Sequence, residues 1–429
     1  MSRTFTIFVA EYVPLSNKGE EAIIRGIEDL VRSQGYSVRL AVMGREAEIS
    51  DCGGITVFPN EWVYRCVGRR ISPGKFAALL ALQALKLRVG MLGTLGNLAF
   101  SHDPRHGPMR EYFDDADCIL VGHDGIFGIE SCGVIHAARK AGKRVGIFGA
   151  GVAQYHKLAP LSKPLYRRAV AESDFCFFRE RNAYEYMRAI GCDPAKLRLA
   201  PDPAFAMNPA PPQDVQAFLE GKEWYRRARQ AGKTVVCATV SQKDVLLARP
   251  FAHRSTPAER RALHVKYLAE VFDRLIGQRD VLVVFLPHSL EPGPRNDVQT
   301  ARDVTAAVQA GPESCCVMDD DLPARMLKGI IKECDFLVGQ RAHSLIGSAS
   351  VATPFVALTA SNDRRTHDIL GEMVGCEEQM VDMDLNDPAQ AAERIVQAID
   401  RREELRSHLV GRMAELRRRL EEMAQVLTA

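Results

Sequence analysis

The sequence predicts an α/β protein built from two doubly wound, Rossmann-like domains with a cleft between them. Three observations lead there: a length of 429 residues, two successive runs of alternating strand-like and helix-like segments, and a proline-rich break between the runs. A chain of this length exceeds what one hydrophobic core ordinarily serves. Short apolar β-type runs that alternate with segments of helical period indicate parallel strands covered by helices on both faces.

The first run begins with a buried-strand pattern over Thr4–Tyr12, a helix over Glu20–Gln34 and a strand over Ser37–Val42. After a less regular stretch, Cys118–Val121, Arg144–Phe148 and Phe175–Phe178 read as strands, separated by helical segments near Ser131–Ala141, Leu161–Ser173 and Asn182–Ile190. The break is PDPAFAMNPAPP at Pro201–Pro212, five prolines in twelve residues, which can continue neither a helix nor a central strand. Alternation then restarts. Thr234–Val240, Val281–Leu286, Phe336–Val338 and Phe355–Leu358 are strand-like, and Pro257–Gly277, Asn296–Ala310 and Leu322–Lys332 helix-like. The expected division is an N-terminal domain over 1–205, a C-terminal domain over 206–385 and a charged helical extension over 386–429.

The 56 basic and 54 acidic residues leave a net charge of +2, which gives no field suited to nucleic acid and confines any anion site to a local cluster. The N-terminal apolar run is short and alternating, unlike a signal peptide. Eleven cysteines without a C-x-x-C pair fit a reducing cytoplasm and indicate neither a disulfide framework nor a zinc site. Lys75–Phe100 is strongly apolar but carries Lys86 and Arg88; it reads as a helix packed on the sheet, with an interfacial membrane helix as the alternative. Whether copies of the chain associate is left open by the sequence.

Five stations carry chemistry, each directly after a strand, where doubly wound folds bind ligands. SNKGEEAII at Ser16–Ile24 opens the first helix, with Gly19 permitting a tight turn and Asn17 and Glu20 facing the ligand side. VGHDGIFG at Val121–Gly128 places His123 and Asp124 in a glycine-rich turn. GIFGAGVAQ at Gly146–Gln154 is a bare G-x-G; neither a Walker lysine nor a full dinucleotide fingerprint occurs in the chain. Arg179 and Arg181 follow the Phe175–Phe178 strand, where arginine suits a bidentate grip on phosphate or carboxylate. The strongest is GQRAH at Gly339–His343. Arg341 stands at an expected helix N-terminus, which favours anions, and His343 beside it suits proton transfer near neutral pH.

In this order the stations resemble the polysaccharide pyruvyltransferase family, through NKGE at Asn17–Glu20, RERNA at Arg179–Ala183, DPAF at Asp202–Phe205, PH at Pro287–His288 and GQRAH at Gly339–His343. The resemblance spreads over most of residues 1–385 and implies the two-domain GT-B build. It implies pyruvate transfer from phosphoenolpyruvate onto two hydroxyls of one sugar, as a cyclic ketal, with no metal or other cofactor. Arg341, Arg179 and His288 would hold the donor and His343 would be the general acid. Asn17, Glu20, His123, Asp124 and Asp202 would lie on the side of the saccharide or lipid-linked saccharide acceptor. Four departures mark this chain: Glu20 where the family has aspartate, Ala183 where it has serine, His123 and Asp124 in the glycine-rich turn, and Arg364 or Arg365 near a usual lysine. Two rival readings remain: a GT-B glycosyltransferase or sugar-nucleotide epimerase using the same cleft, and a degenerate member that scaffolds polysaccharide assembly.

Overall fold

The structure is a computed structural model that describes residues 3–44, 53–59, 107–123, 127–152, 159–241, 256–291, 296–311 and 313–429. The Lys75–Phe100 segment lies outside them, as does Asp124. Among the described residues no helix is long and apolar enough to cross a membrane.

Among the described residues, thirteen strands form two fully parallel sheets. The first holds β1 (Thr4–Tyr12), β2 (Ser37–Gly44), β3 (Ile55–Pro59), β4 (Cys118–Val121), β5 (Val145–Ala150), β6 (Phe175–Phe178) and β7 (Leu197–Leu199), in the order β3-β2-β1-β4-β5-β6-β7. The second holds β8 (Thr234–Thr239), β9 (Val281–Phe285), β10 (Cys315–Val317), β11 (Phe336–Gly339), β12 (Phe355–Thr359) and β13 (Met380–Asp382), in the order β10-β9-β8-β11-β12-β13. Each is the doubly wound arrangement, with chain direction around the sheet reversing beside the first strand. At the sheet centres Ile7 pairs with Leu40 on one side and Cys118 on the other, and Cys237 pairs with Val284 and Leu337. Central strands are predominantly apolar because helices cover both faces.

The chain divides into two compact units at Pro203/Ala204, inside the proline-rich stretch. Two segments depart from the expected domain boundaries. Ser16–Gly26 belongs to the unit that contains Ala204–Arg418, and Arg419–Ala429 to the unit that contains Ile27–Pro203. The C-terminal stretch is therefore not a separate extension. Its first helix, Pro388–Asp400, buries Ala391, Ala392, Ile395 and Ile399 in the second core. The end of its second helix, Arg402–Thr428, is held within the N-terminal unit: Arg144 donates to the Leu427 carbonyl at 2.6 Å and to the Val426 carbonyl, and Arg419 donates to the Leu199 carbonyl at 2.9 Å. The two Arg144 bonds satisfy carbonyls that a helix C-terminus leaves open.

The G-x-G at the end of β5 has a packing reason. Gly149 has φ +73°, sits at a register shift between Phe148 and Ala150, and a Cβ there would lie 2.5 Å from Pro203 Cδ. Only glycine meets both demands.

Arg144→Ala should remove the anchor of the C-terminal helix end and destabilise the protein by about 1.5–3 kcal/mol, the range for hydrogen bonds to a charged group. Denaturant unfolding checks this; an unchanged midpoint would show that the helix end is held by apolar packing alone.

Candidate functional site

In the second sheet the reversal falls between β8 and β11, and the turn after β11 carries the site. Its backbone is locked by side chains that the sequence reading did not single out. Gln340, 2% exposed, accepts a bond from the Ser241 N–H through Oε1 at 2.9 Å, and its own N–H donates to the Thr239 carbonyl at 2.8 Å. Ser344 Oγ lies 2.7 Å from both Thr239 Oγ1 and the Arg341 carbonyl. Gly339 is required because a Cβ would fall 2.9 Å from Leu345 Cδ2. Arg341 becomes the N-cap of the helix Ala342–Ser350, and His343 lies in that helix's first turn.

Arg341 reaches back to Asp297, with Nε at 3.0 Å from Oδ2 and a second bond from Nη2 to Oδ1. Asp297 is 1% exposed and also accepts the backbone N–H groups of His288 at 3.1 Å and Ser289 at 2.9 Å. Burial pushes its carboxyl pKa up, against the charge and bonds of Arg341 and the two N–H groups. Four donors directed at its two oxygens identify the ionised form, since every polar hydrogen in the cluster already points inward.

His288, directly after the β9 strand end, is 6% exposed, and its Nδ1 lies 3.1 Å from the Leu286 carbonyl. A carbonyl can only accept, so Nδ1 carries the hydrogen and Nε2 is the acceptor. Desolvation lowers its pKa to about 4; the Leu286 bond opposes this, and the charges of Arg341, His343 and Lys18 add to the lowering. His288 is therefore neutral at physiological pH.

The Ser16–Gly26 segment closes the same site. Asn17 forms an antiparallel bridge with Ser289, the Lys18 N–H donates to the His288 carbonyl at 2.8 Å, and the Leu290 N–H donates to the Ser16 carbonyl at 3.0 Å. Gly19 backs onto His343, where a Cβ would stand 2.8 Å from the imidazole Cγ. Its need is thus space for the histidine, more than the tight turn expected from sequence. Glu21 accepts the Ala324 N–H at 3.1 Å, capping the helix Ala324–Glu333, and burial raises its pKa. Lys18, Met207, His288, Lys328, His343 and Gly347 are among the residues that line a narrow cleft here.

Asn17 and Glu20, expected on the N-terminal domain, stand instead in the same compact unit as His288, Arg341 and His343. Arg179 and Asp202 stand in the N-terminal unit as a fully buried ion pair at 2.5 Å, both 0% exposed, with Arg179 Nε also 3.4 Å from Glu180. A desolvated pair of this kind is costly to separate, so its first role is to join β6 to the segment after β7. In the first sheet, Glu11 at the end of β1 accepts the Gly122 N–H at 2.6 Å and the Ser131 hydroxyl, and lies 3.1 Å from His123 Nδ1. Glu130 beside it has its carboxyl pushed up to about 8 by burial and by the charge of Glu11. Neither glutamate stood out in the sequence.

The family model "Polysaccharide pyruvyl transferase" matches residues 17–362, about four-fifths of the chain. The chain belongs to this family. It is accordingly a transferase of polysaccharide pyruvylation, and the GQRAH turn, His288 and the Asn17–Gly19 loop all fall within the matched residues. No curated protein sequence matches it. Among solved structures the chain is similar to a UDP-GlcNAc 2-epimerase from Neisseria meningitidis bound to UDP-GlcNAc (TM-score 0.51, 11% identity, 94% of each chain covered). It is also similar to the spinosyn forosaminyltransferase SpnP (0.52, 12%, 100% of each chain). A third is an α,α-trehalose 6-phosphate synthase from Burkholderia multivorans (0.52, 14%, 100% of this chain and 96% of that one). At these identities the likeness concerns the fold, which is of the GT-B type.

Two outcomes test the site's construction. Gly19→Ala should displace the His343 imidazole and lower turnover strongly while leaving the circular dichroism spectrum unchanged; normal turnover would show that His343 has room to move. His288 is neutral when folded, but unfolded it titrates near 6.5. The unfolded state therefore binds the extra proton as pH falls from 6.5 towards 4, and stability declines over that window. His288→Asn should flatten the fall of Tm between those pH values, and an unaltered slope would place the acid sensitivity elsewhere.

Proposed function

We propose that the chain transfers pyruvate from phosphoenolpyruvate onto two hydroxyls of a saccharide, forming a cyclic ketal, with no further cofactor. The observation that carries the reading is His343 in the first turn of a helix whose cap is Arg341, beside the neutral His288. Cation, helix N-terminus and hydrogen-bonding imidazoles suit a small phosphorylated carboxylate. In this reading His343 protonates the donor's terminal methylene, making carbon 2 electrophilic. One acceptor hydroxyl adds to carbon 2, phosphate leaves, and the second hydroxyl closes the ring. Of the two hydroxyl protons, one replaces that delivered to the methyl group and the other leaves with phosphate. His288 Nε2, kept unprotonated, serves as an acceptor towards the donor or an incoming hydroxyl.

Arg341 contributes charge to the donor's anionic groups from its place on Asp297. Arg179, expected on the donor side, would have to leave Asp202 to touch the donor. The acceptor role proposed for His123 fits the C-terminal end of β4, with Glu11 orienting the imidazole. Asn17 and Glu20 fit the donor side better, because they share a compact unit with His343. A cytoplasmic setting, where phosphoenolpyruvate is available, accords with this reading.

A thermal-shift comparison discriminates it from the nucleotide-sugar alternative. Phosphoenolpyruvate at about 100 times its Kd should stabilise by about 2.7 kcal/mol, whereas UDP- and GDP-sugars should not. A shift with a nucleotide sugar alone would overturn the donor assignment. His343→Asn keeps a hydrogen-bonding amide but cannot deliver a proton, so turnover should fall about 10² to 10⁴-fold. Donor affinity in calorimetry should change far less. Turnover is read as released phosphate and as pyruvate mass added to the saccharide; near-normal turnover would remove His343 from the chemistry.

A further inference from the structure

The cleft beside His343 contains a charge that neither the motifs nor the proposed mechanism uses. Lys328 lies on the helix Ala324–Glu333, between Leu327 and Gly329, and is only 3% exposed. Its Nζ donates to the Met207 carbonyl. The stem passes the helix that carries His343: a Cβ on Gly347 would lie 3.9 Å from Lys328 Cγ. Gly347 is four residues beyond His343, so both occupy one helix face. Lys18 lines the same cleft from the other side. Its Nζ lies 3.8 Å from the buried Glu21 carboxylate and is held at 2.8 Å by Asp321, whose side chain is 74% exposed; the Asp321 pair is solvent-screened, and an entering anion can replace it.

The cleft therefore has two ammonium groups, two imidazoles and no carboxylate among its described lining residues. Arg341 is not among them; its guanidinium is engaged by Asp297. As described the cleft is nearly closed, with about 10 Å³ of free space, roughly room for one water, so an anion enters it by displacing the Lys18 and Lys328 side chains. A lysine ammonium is a point charge well matched to a phosphate oxygen.

We propose that Lys328 and Lys18 hold the phosphate of the donor, with Arg341 acting chiefly as a positioning residue through Asp297 and His288. The proposal rests on the phosphoenolpyruvate reading for the donor's identity, but the phosphate site is testable without it. Lys328 would keep the leaving phosphate on the same helix face as His343, and Lys18 would exchange Asp321 for it on binding.

Calorimetry with phosphoenolpyruvate and with inorganic phosphate, on the wild-type chain, Lys328→Met, Lys328→Arg and Lys18→Met, tests this. Each methionine variant should lose about tenfold to hundredfold in affinity for both ligands, the loss expected for a charge-assisted hydrogen bond. The effect should appear in KM for the donor more than in kcat, and Lys328→Arg should recover part of it. Lys18→Met keeps the test decisive if Lys328→Met fails to fold, because Lys18 is anchored through its backbone. Wild-type affinity for both ligands in Lys18→Met and in a folded Lys328 variant would overturn the proposal. Phosphate binding lost in the variants, with no phosphoenolpyruvate binding by the wild type, would uphold the phosphate site and overturn the donor reading. No binding of either ligand by the wild type would overturn both.

Discussion

Asp297 accepts hydrogen bonds from Arg341, from the backbone of His288 and from the backbone of Ser289, and is itself almost wholly buried. Remove it and two things lose their position together: the cap of the helix bearing His343, and the His288–Ser289 loop to which Asn17 and Lys18 are bonded. A buried ion pair contributes little net stability once desolvation is counted. What it provides here is geometry, because a bidentate guanidinium fixes both the distance and the plane of its partner. The same carboxylate also sits at the first position of the helix Asp297–Ala307, where negative charge is favoured.

The histidine states follow from this geometry. His288 is desolvated and surrounded by positive groups, so it stays neutral, with its hydrogen fixed on Nδ1 by the Leu286 carbonyl. His343 stands in the first turn of its helix, with Gly19 leaving just enough space for the ring. Two imidazoles in one cleft thus differ in surroundings, and His288 is the one whose tautomer the backbone fixes. The transferable point is that protonation roles are set by what backs each ring, which no single residue in a motif reveals.

Much of the fold was legible because central parallel strands are buried on both faces and appear as continuous apolar runs. β1, β2, β4, β5, β6, β8, β9, β11 and β12 were all visible in that way. The strands that were not visible are β3, β7, β10 and β13, and each lies at an edge of its sheet. An edge strand has one neighbour and three of these four are three residues long, too short to show a period. In the site, GQRAH was readable because a strand, a glycine and a helix start coincide. Gln340, Glu11 and Lys328 were not, since a buried polar residue inside an apolar stretch looks like any surface residue until its partners are known. Asn17 and Glu20 stand in a different unit from the one expected, because sequence order gives no sign that Ser16–Gly26 contacts residues near 288 and 343.

That misassignment changes the logic of the family's first motif. A loop after β1 would ordinarily serve a ligand of its own sheet. Here its backbone instead adds a short antiparallel pairing to the loop after β9, and its glycine is the floor beneath His343. Glu20 in place of aspartate is tolerable on this view, since the motif's demands fall on the Asn17 backbone, on the absence of a side chain at Gly19, and on Lys18 at the cleft wall. The group at the ends of β1 and β4, with Glu11 holding Gly122, His123 and Ser131, is the part of the first sheet built to orient a polar side chain at its switch point.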